Sequence, residues 1–459
     1  MKDFSIRPPA YFLIVFLVLG GQVLFGQEVE EYRPVQFSLK EAREYAVKHS
    51  MQTKNARLDV KIAKKKIWET TADGLPQIDG KLSYQNFLKL PTTLVPAQIF
   101  DPNAPPGSFI ELKFGTQHTA AVDLTASQLI FRGSYIVGLQ ASKVYRRFME
   151  ENLEKSAILV KEMVSQTYYL ILLTERTREI LSTSLENLKR TLYETGELYK
   201  AGFAEETDVQ QLQLSVNDLE TQVKTLATQI RIAYKLLRYQ MGMENDELIV
   251  LTDSLDDILG RIDAPEMATR QLQMDLHIDF RMAKTQEQAA RLTWKNESAA
   301  YLPSVSLFFT HSISAQREEF DFFKKSAGSW FKSTVLGLNL NLPIWSSGMR
   351  KAKVAQAKLE LEKAKNSRAY VAEGLELALM QARSDFLDAL DKKDNNEGNV
   401  DLAKRIYDKT LTKFKEGTAT SLELTQTYNQ YLAAESNYTA SVVELLNAKI
   451  QLDKALNQL

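Results

Sequence analysis

The sequence predicts a mainly helical protein that carries a small β part and is built from two similar halves. Three observations lead to this fold class: long apolar seams at helical spacing, four short segments of alternating polarity, and few residues that interrupt helices. The chain has 459 residues but only 19 glycines and 12 prolines. Such a low content is typical of long, unbroken helices.

Composition and charge exclude several classes of protein. Lys and Arg total 57 and Asp and Glu total 58, so a basic nucleic-acid-binding surface is not expected. The chain has no cysteine, which excludes disulfides, thiolate metal sites and cysteine nucleophiles. A mean hydropathy of -0.27 argues against a helical membrane protein with several spans.

Residues 1–26 have the pattern of a secretory signal peptide: a short charged start, an apolar run and a small residue, Gly26, before the expected cleavage. Leu24 is large for its place in such a site, and an uncleaved membrane anchor is the alternative. The mature chain is expected to leave the cytoplasm.

An internal repeat organises the chain. Three landmarks occur once in each half and in the same order. They are the segments 75–78 and 302–305, 129–133 and 343–348, and 199–209 and 414–424. The sequence therefore divides into a first repeat over 38–243, an inter-repeat segment over 244–265 and a second repeat over 266–459.

Each half is predicted to contain a starting helix, two strands, a very long helix and a return helix. The starting helices are expected over 38–72 and 267–300, and the long helices over 134–199 and 348–414. Each long helix then spans about 100 Å at a rise of 1.5 Å per residue. A starting and a return helix, laid end to end, would match one long helix in length.

The return helices carry coiled-coil seams, in which apolar residues are spaced alternately by three and four. The first seam runs over 209–237 without a fault. The second runs over 424–459, where two charged residues, Glu435 and Lys449, interrupt it.

Four segments alternate apolar and polar side chains, which predicts strands with one apolar and one polar face. Their first apolar residues are Ile78, Val122, Val305 and Leu336, and Phe308 breaks the polar face of the third. A transmembrane β-barrel with a wet lumen requires this pattern, and a soluble sheet with one buried face also shows it. Four strands cannot close a barrel, so the membrane interpretation demands an oligomer.

Tryptophans lie near the ends of these strands. Trp68 and Trp294 precede the first strand of each half, Trp345 follows the fourth strand, and Trp330 lies at its other end. Such side chains form belts at membrane interfaces, and packing at helix–strand junctions is the alternative. The Pro-rich loop over 87–116 is expected to be external.

These landmarks resemble the TolC-like outer-membrane efflux proteins over nearly the whole mature chain. The matching motifs are Leu75-Pro76, Leu302-Pro303, Pro343-Ile344-Trp345 with Gly348, Tyr199-x-x-Gly202 with Asp208-Val209, and Phe414-x-x-Gly417 with Glu423-Leu424. The resemblance implies a trimer in which each subunit gives four strands to a twelve-stranded barrel. The helices would form a long periplasmic α-barrel, with residues 244–265 in a belt around it.

The resemblance also implies a function. Such proteins are the exit ducts of tripartite efflux pumps and type I secretion systems, whose other parts are a periplasmic adaptor, or membrane fusion protein, and an inner-membrane transporter. We therefore expect a homotrimer in outer-membrane lipid with a periplasmic extension, and no cofactor, metal or nucleic acid. The substrate and the class of transporter stay open.

The resemblance places adaptor docking at the two helical turns, at Gly202, Phe203, Gly417 and Thr418. Glycine suits such sharp turns, because it accepts a positive φ. An ordinary helix C-cap is the alternative role and is compatible with docking.

The resemblance also implies a periplasmic gate lined by acidic residues. Asp208 matches a family aspartate and Glu423 stands where a second is usual, whereas Gln426 and Ala419 replace a further aspartate and a bridging arginine. We therefore expect a gate with fewer charges or one that uses other acids. Those acids are Glu205, Glu206 and Glu416. The alternative is that all these carboxylates are solvated or cap helices.

Two other classes of protein fit the sequence less well. An enzyme is not expected, because the four histidines have no metal-ligand spacing and no Gly-rich phosphate loop is present. The main alternative is a periplasmic coiled-coil structural or adaptor protein without a membrane barrel. Heptads and a signal peptide fit it, but the four amphipathic strands do not.

Overall fold

The computed structural model describes residues 35–244, 247–324 and 328–459, so the predicted signal peptide lies outside the described residues. The described residues are mainly helical, with a small β part, as predicted. In chain order the elements are β1 Val35–Phe37, α1 Leu39–His49, α2 Met51–Ala72, β2 Gln77–Asn86, β3 Thr92–Pro96, β4 Phe109–Lys113, β5 His118–Arg132, α3 Gly133–Lys200, α4 Glu206–Met241, β6 Ile249–Leu251, α5 Leu255–Gly260, α6 Ala264–Thr269, α7 Ile278–Ala299, β7 Ser304–Arg317, β8 Phe331–Asn341, α8 Met349–Lys415 and α9 Ser421–Ala455.

Two very long helices set the dimensions of the protein. Helix α3 has 68 residues and helix α8 has 67, so each is about 100 Å long. Their bounds lie within one residue of the predicted ones. Helices α4 and α9 pack along the halves of α3 and α8 that are farther from the strands, here called the lower halves. Helices α2 and α7 pack along the halves nearer the strands, the upper halves.

The predicted starting helices are each shorter than expected. The first is broken at Ser50, whose φ of -58° and ψ of 145° are not helical. Arg57 satisfies the last carbonyls of α1 by donating to the backbone oxygens of Val47 and Lys48, both at 2.8 Å. Of the second predicted starting helix only the part from Ile278 to Ala299 forms a long helix, α7, and a short α6 and a single 3-10 turn precede it.

A starting and a return helix do lie end to end, as predicted from their lengths. In the first half Gly242, which follows α4 with φ 72°, packs against the break between α1 and α2: a Cβ there would lie 2.4 Å from the His49 oxygen. In the second half Asn457, with φ 57°, follows α9, and its Oδ1 accepts a hydrogen bond of 3.2 Å from the Ile278 N–H at the start of α7.

We call these two end-to-end contacts the first and the second joint. Neutral His277 helps to start α7 at the second joint. Its Nδ1 accepts a hydrogen bond of 3.2 Å from the Asp279 N–H, which is one of the unpaired donors at the start of a helix. Burial lowers the pKa of His277 and so favours the neutral ring that can accept this bond.

The four predicted strands form one antiparallel sheet in the order β2-β5-β7-β8. Paired residues across the sheet share a face, so that one row contains Ile78, Ala126, Phe309 and Leu336. Three positions further along, on the opposite face, another row contains Lys81, Asp123, Ser312 and Ser333. The sheet therefore has an apolar and a polar face, and the outer edges of β2 and β8 have no partner strand among the described residues.

Phe308, which breaks the polar pattern, is accommodated by a glycine. It pairs with Gly337 on the neighbouring strand, and a Cβ at Gly337 would lie 2.3 Å from the Phe308 ring. The aromatic ring thus covers the glycine on the polar face.

Two small sheets were not predicted. Strands β3 and β4 form a hairpin inside the Pro-rich loop. Strands β1 and β6 pair in parallel and attach the inter-repeat segment to the helices. Next to this pair the fully buried Tyr168 donates its hydroxyl to the Phe37 oxygen at 3.0 Å, and Asp253 accepts a bond of 2.7 Å from the Leu39 N–H.

Within the described ranges, none of the helices has the length and apolarity that a membrane span requires.

We expect Gly242→Ala to lower the melting temperature of the protein, measured by circular dichroism. The added Cβ meets backbone atoms of the first joint, and a positive φ costs an L-residue about 1–3 kcal/mol. Gly398→Ala in α8 is the matched control, because nothing lies within 4 Å of its Cβ position and alanine favours a helix. Equal responses of the two variants would contradict this account of the joint.

Candidate functional site: the helical tips and the sheet

The two helical turns at the end of the protein farthest from the sheet are built alike. Gly202, with φ 80°, lies two residues after the end of α3, and Gly417, with φ 71°, lies two residues after the end of α8. The Gly202 N–H bonds to the Tyr199 oxygen at 2.9 Å and the Phe203 N–H to the Leu198 oxygen at 2.8 Å. This pair of bonds is a Schellman motif, which satisfies the last carbonyls of a helix.

The second turn repeats this geometry. The Gly417 N–H bonds to the Phe414 oxygen at 3.0 Å, and the Thr418 N–H to the Lys413 oxygen at 2.9 Å. Phe203 is 82% exposed, and Gly202, Gly417 and Thr418 are exposed too. The four predicted docking residues therefore lie on two free turns, and their role stays a prediction.

Two of the predicted gate acids hold the starts of the return helices. The Glu423 carboxylate accepts a bond of 2.9 Å from the Thr420 N–H, and the Thr420 hydroxyl accepts one of 3.2 Å from the Glu423 N–H. The Asp208 carboxylate accepts a bond of 3.1 Å from the Glu205 N–H. These are capping-box contacts, which stabilise a helix N-terminus, so the capping alternative describes the observed contacts of both residues.

Asp208 has a second contact, which ties the two tips of one subunit together. The buried Ser421, at the start of α9, donates its hydroxyl to the Asp208 carboxylate of α4. The same hydroxyl lies 3.0 Å from the Gln211 side-chain oxygen. A carboxylate is a strong acceptor, and this one joins the α3–α4 pair to the α8–α9 pair.

Apolar packing supports the same junction. Leu212, Leu424 and Tyr428 are buried together between the two helix pairs, and Lys415 of α8 pairs with Glu194 of α3 at 3.4 Å. Burial raises the pKa of Tyr428, so this side chain stays neutral and packs as an apolar group.

The remaining gate candidates are not brought together. Glu205, Glu206 and Glu416 are exposed, and Glu206 accepts a bond of 2.9 Å from Gln210 on its own helix. Sequence reasoning missed Ser421 and Gln211. Neither belongs to a motif, because their contact joins residues 210 positions apart.

The other functional region is the sheet and its surroundings. On its polar face Ser312 donates to Asp123 at 2.5 Å, and the hydroxyls of Thr125 and Thr310 lie 3.2 Å apart. On its apolar face large side chains are exposed in the isolated chain, including Leu82 at 79%.

The predicted interface tryptophans lie at both ends of the sheet. Trp68 and Trp345 are 63% and 83% exposed and Trp294 is half-buried, all three near the junction with the helices. Trp330 lies at the opposite end, where its ring is 6.1 Å from that of Phe322. Their role in a membrane interface stays a prediction.

No group of three or more His, Asp or Glu side chains in the described part of the chain could hold a metal ion. The tips present two exposed turns, and the sheet has a polar and an apolar face.

Comparisons with known proteins agree with this architecture. Residues 271–458 match the family model of the outer membrane efflux proteins. Among solved structures, the Campylobacter jejuni CmeC outer membrane channel has a TM-score of 0.69 at 18% identity, over 92% of this chain and 85% of that chain. The open state of the Neisseria gonorrhoeae MtrE outer membrane channel has a TM-score of 0.68 at 16% identity, over 91% and 88%.

A structure of CusC, from work on folding and transmembrane channel formation, has a TM-score of 0.70 at 17% identity, over 92% of both chains. No curated protein sequence gave a match. At these identities the structures show a shared fold, and together with the family match they confirm the resemblance predicted from the sequence.

We expect Gly202→Val and Gly417→Val to impair assembly with a periplasmic partner while leaving membrane insertion intact. A β-branched residue is strained at the positive φ of both turns, although space is available. Co-purification of the partner measures assembly. Gly202→Asn is the control, since asparagine tolerates this conformation, and unchanged assembly of both valine variants would count against the docking role.

We expect Ser421→Ala to loosen the junction between the two tips. Loss of a hydrogen bond to a charged acceptor costs about 1.5–3 kcal/mol, so the first turns of α4 and α9 should exchange their amide hydrogens faster. Hydrogen exchange read by mass spectrometry measures this. Thr427→Ala, which removes a hydroxyl bonded within α9, is the control, and equal exchange in both variants would show that the Ser421 bond does not hold the tips.

Proposed function

We propose that this chain, as a TolC-like outer-membrane efflux protein, is the exit duct of a tripartite transport complex. In this proposal three copies form a channel that crosses the periplasm and the outer membrane. The observation that carries the proposal is a sheet with one apolar and one polar face whose two outer edges are both open.

The open sheet edges are matched by open helix faces. Around the upper half of the subunit the helices follow the order α2, α3, α7, α8, and around the sheet the strands follow β2, β5, β7, β8. One flank therefore carries β2 and α2, and the other carries β8 and α8. Both flanks end without a neighbour among the described residues.

Each flanking helix has an apolar stripe opposite its buried face. In α2 the stripe is Met51, Leu58 and Ile62, with 65%, 52% and 59% exposure. In α8 the stripe is Leu359, Tyr370 and Leu377, with 67%, 78% and 65% exposure. A second apolar stripe on a helix favours a second packing partner.

Pairing of unlike flanks makes a head-to-tail interface, which closes into a ring when the rotation between copies allows it. Closure would hydrogen-bond β8 of one copy to β2 of the next and remove every open edge, as a membrane barrel requires. Three copies give the twelve strands expected for this family.

In such a ring the polar face would line the lumen and the apolar face would meet lipid. Lys81, Asp123 and Ser312 would then surround a wet path, and Leu82 and Leu336 would contact the outer membrane. Helices of about 100 Å extend the path into the periplasm. The exposed turns at its far end would meet the adaptor, and the transporter in the inner membrane would supply the energy.

A channel needs no catalytic group, and the proposed activity is passage rather than chemistry. The alternative, a periplasmic coiled-coil structural or adaptor protein, leaves the apolar face of the sheet in water. Exposed side chains such as Leu82, Leu336 and Leu338 make that state unfavourable.

Single thiols test which face meets lipid. Because the chain has no cysteine, Lys81→Cys and Leu82→Cys each introduce the only thiol, on opposite faces of one strand. In intact outer membranes we expect a water-soluble maleimide to label Lys81→Cys and to leave Leu82→Cys unlabelled.

After unfolding in denaturant both variants should react equally, which controls for expression. The same membranes, solubilised in mild detergent, should release a trimer. Equal labelling of both thiols without denaturant, together with recovery of a soluble monomer or dimer, would refute the duct and support the periplasmic alternative.

A further inference from the structure

A cavity of about 480 Å³ lies between α3, α4 and α9, midway between the tips and the joints. Its walls are largely apolar, with Ile180, Leu226 and Leu432 among them, and threonines such as Thr177 and Thr225 supply hydroxyls. The volume is within the range of small-molecule sites, which are commonly apolar clefts with a few polar groups.

Glu435 is the one charged residue that lines this cavity among the described residues. It occupies a seam position of α9, where a coiled coil places an apolar residue. The fourth seam position of α4 is Leu219, which is 1% exposed and packs in the core between the helix pairs. The fault in the second seam therefore places a carboxylate beside this cavity, where the seam would otherwise have an apolar side chain.

The charge of Glu435 is not neutralised within the described part of the chain. Its carboxylate accepts a bond of 2.8 Å from the Tyr431 hydroxyl, and no described Lys or Arg lies within 4 Å of it. The other seam fault is different, because Lys449 pairs with Asp453 at 2.7 Å. A half-buried carboxylate beside apolar side chains favours a cation as its partner.

The space continues on the far side of Glu435 into a groove between α3, α5, α8 and α9. Asp256, Asp401 and Glu397 line this groove. Its basic residue Arg176 is bonded to Glu179 at 3.3 Å, and Glu397 is bonded to Lys393 at 2.6 Å. The electrostatic potential along this groove therefore favours positively charged ligands.

We propose that this cavity binds a lipophilic organic cation, with the positive centre at the Glu435 carboxylate and the apolar groups against Ile180, Leu226 and Leu432. An organic anion would meet the unpaired carboxylate, and a bare metal ion would gain nothing from the apolar walls. The site lies within one subunit, so it does not depend on the duct function.

Tetraphenylphosphonium and tetraphenylborate test the proposal, because they have the same shape and opposite charge. Binding is measured by equilibrium dialysis against the purified full-length protein in detergent, with micelles alone as the blank. We expect the cation to bind and the anion not to bind. Added salt should weaken the binding of the cation.

Glu435→Gln should weaken tetraphenylphosphonium binding about fivefold, the effect of losing a partly exposed ion pair. Glu444→Gln is the matched control, since Glu444 lies on the same helix outside the cavity and pairs with Lys392. Ala440→Phe, which fills part of the space, should also weaken binding. Unchanged melting curves would show that the variants are folded.

Three results would overturn the proposal: no binding of the cation above the micelle blank, equal binding of cation and anion, or equal affinities of Glu435→Gln and the parent protein. Each result can be obtained whether or not the protein forms a membrane duct, so a failure here is distinguishable from a failure of the proposed function.

Discussion

Every backbone N–H and C=O of a strand that faces hydrocarbon must be hydrogen-bonded, because no water is present to replace a missing partner. In this sheet only the inner strands β5 and β7 are paired on both sides within the described residues. Helix α2 leads into β2, and α8 follows β8. The open edges of these two strands and the apolar stripes of these two helices therefore lie on the same two flanks. One contact between copies can therefore cover the sheet edges and the helix stripes together.

Many charged side chains of the helices bond to groups on their own helix. Asp208 and Glu423, which family resemblance assigns to a gate, bond to the backbone at the starts of their own helices. Of these two residues, only Asp208 also contacts another helix, through Ser421. The two charged seam residues of α9 also differ from each other. Lys449 is paired within α9, whereas Glu435 lines the cavity.

The long helices and the strands of the main sheet could be predicted because their periodicity is local and extends over many residues. The break at Ser50 could not, because the apolar pattern continues through it and Gly242, which packs against the break, lies far along the chain. Strands β1 and β6 are three residues each, too short for a periodic signal. At the tip, the turn glycines could be predicted from sequence, whereas the contact between Ser421 and Asp208 depends on how two helix pairs meet.

The second end-to-end joint lies beside α3, where Lys155 pairs with Asp279 at 2.7 Å and Lys161 donates to the Leu459 oxygen at 2.9 Å. At this position along the subunit α3 and α8 are continuous helices, whereas each neighbouring column of the structure consists of two helices placed end to end. Among the described helices only α3 and α8 run unbroken from the turns to the sheet, so they are the two continuous backbones along which a displacement at the turns would be transmitted. Long helices bend gently without breaking, so a gentle curvature of α3 and α8 would shift the turns relative to the sheet without opening either helix.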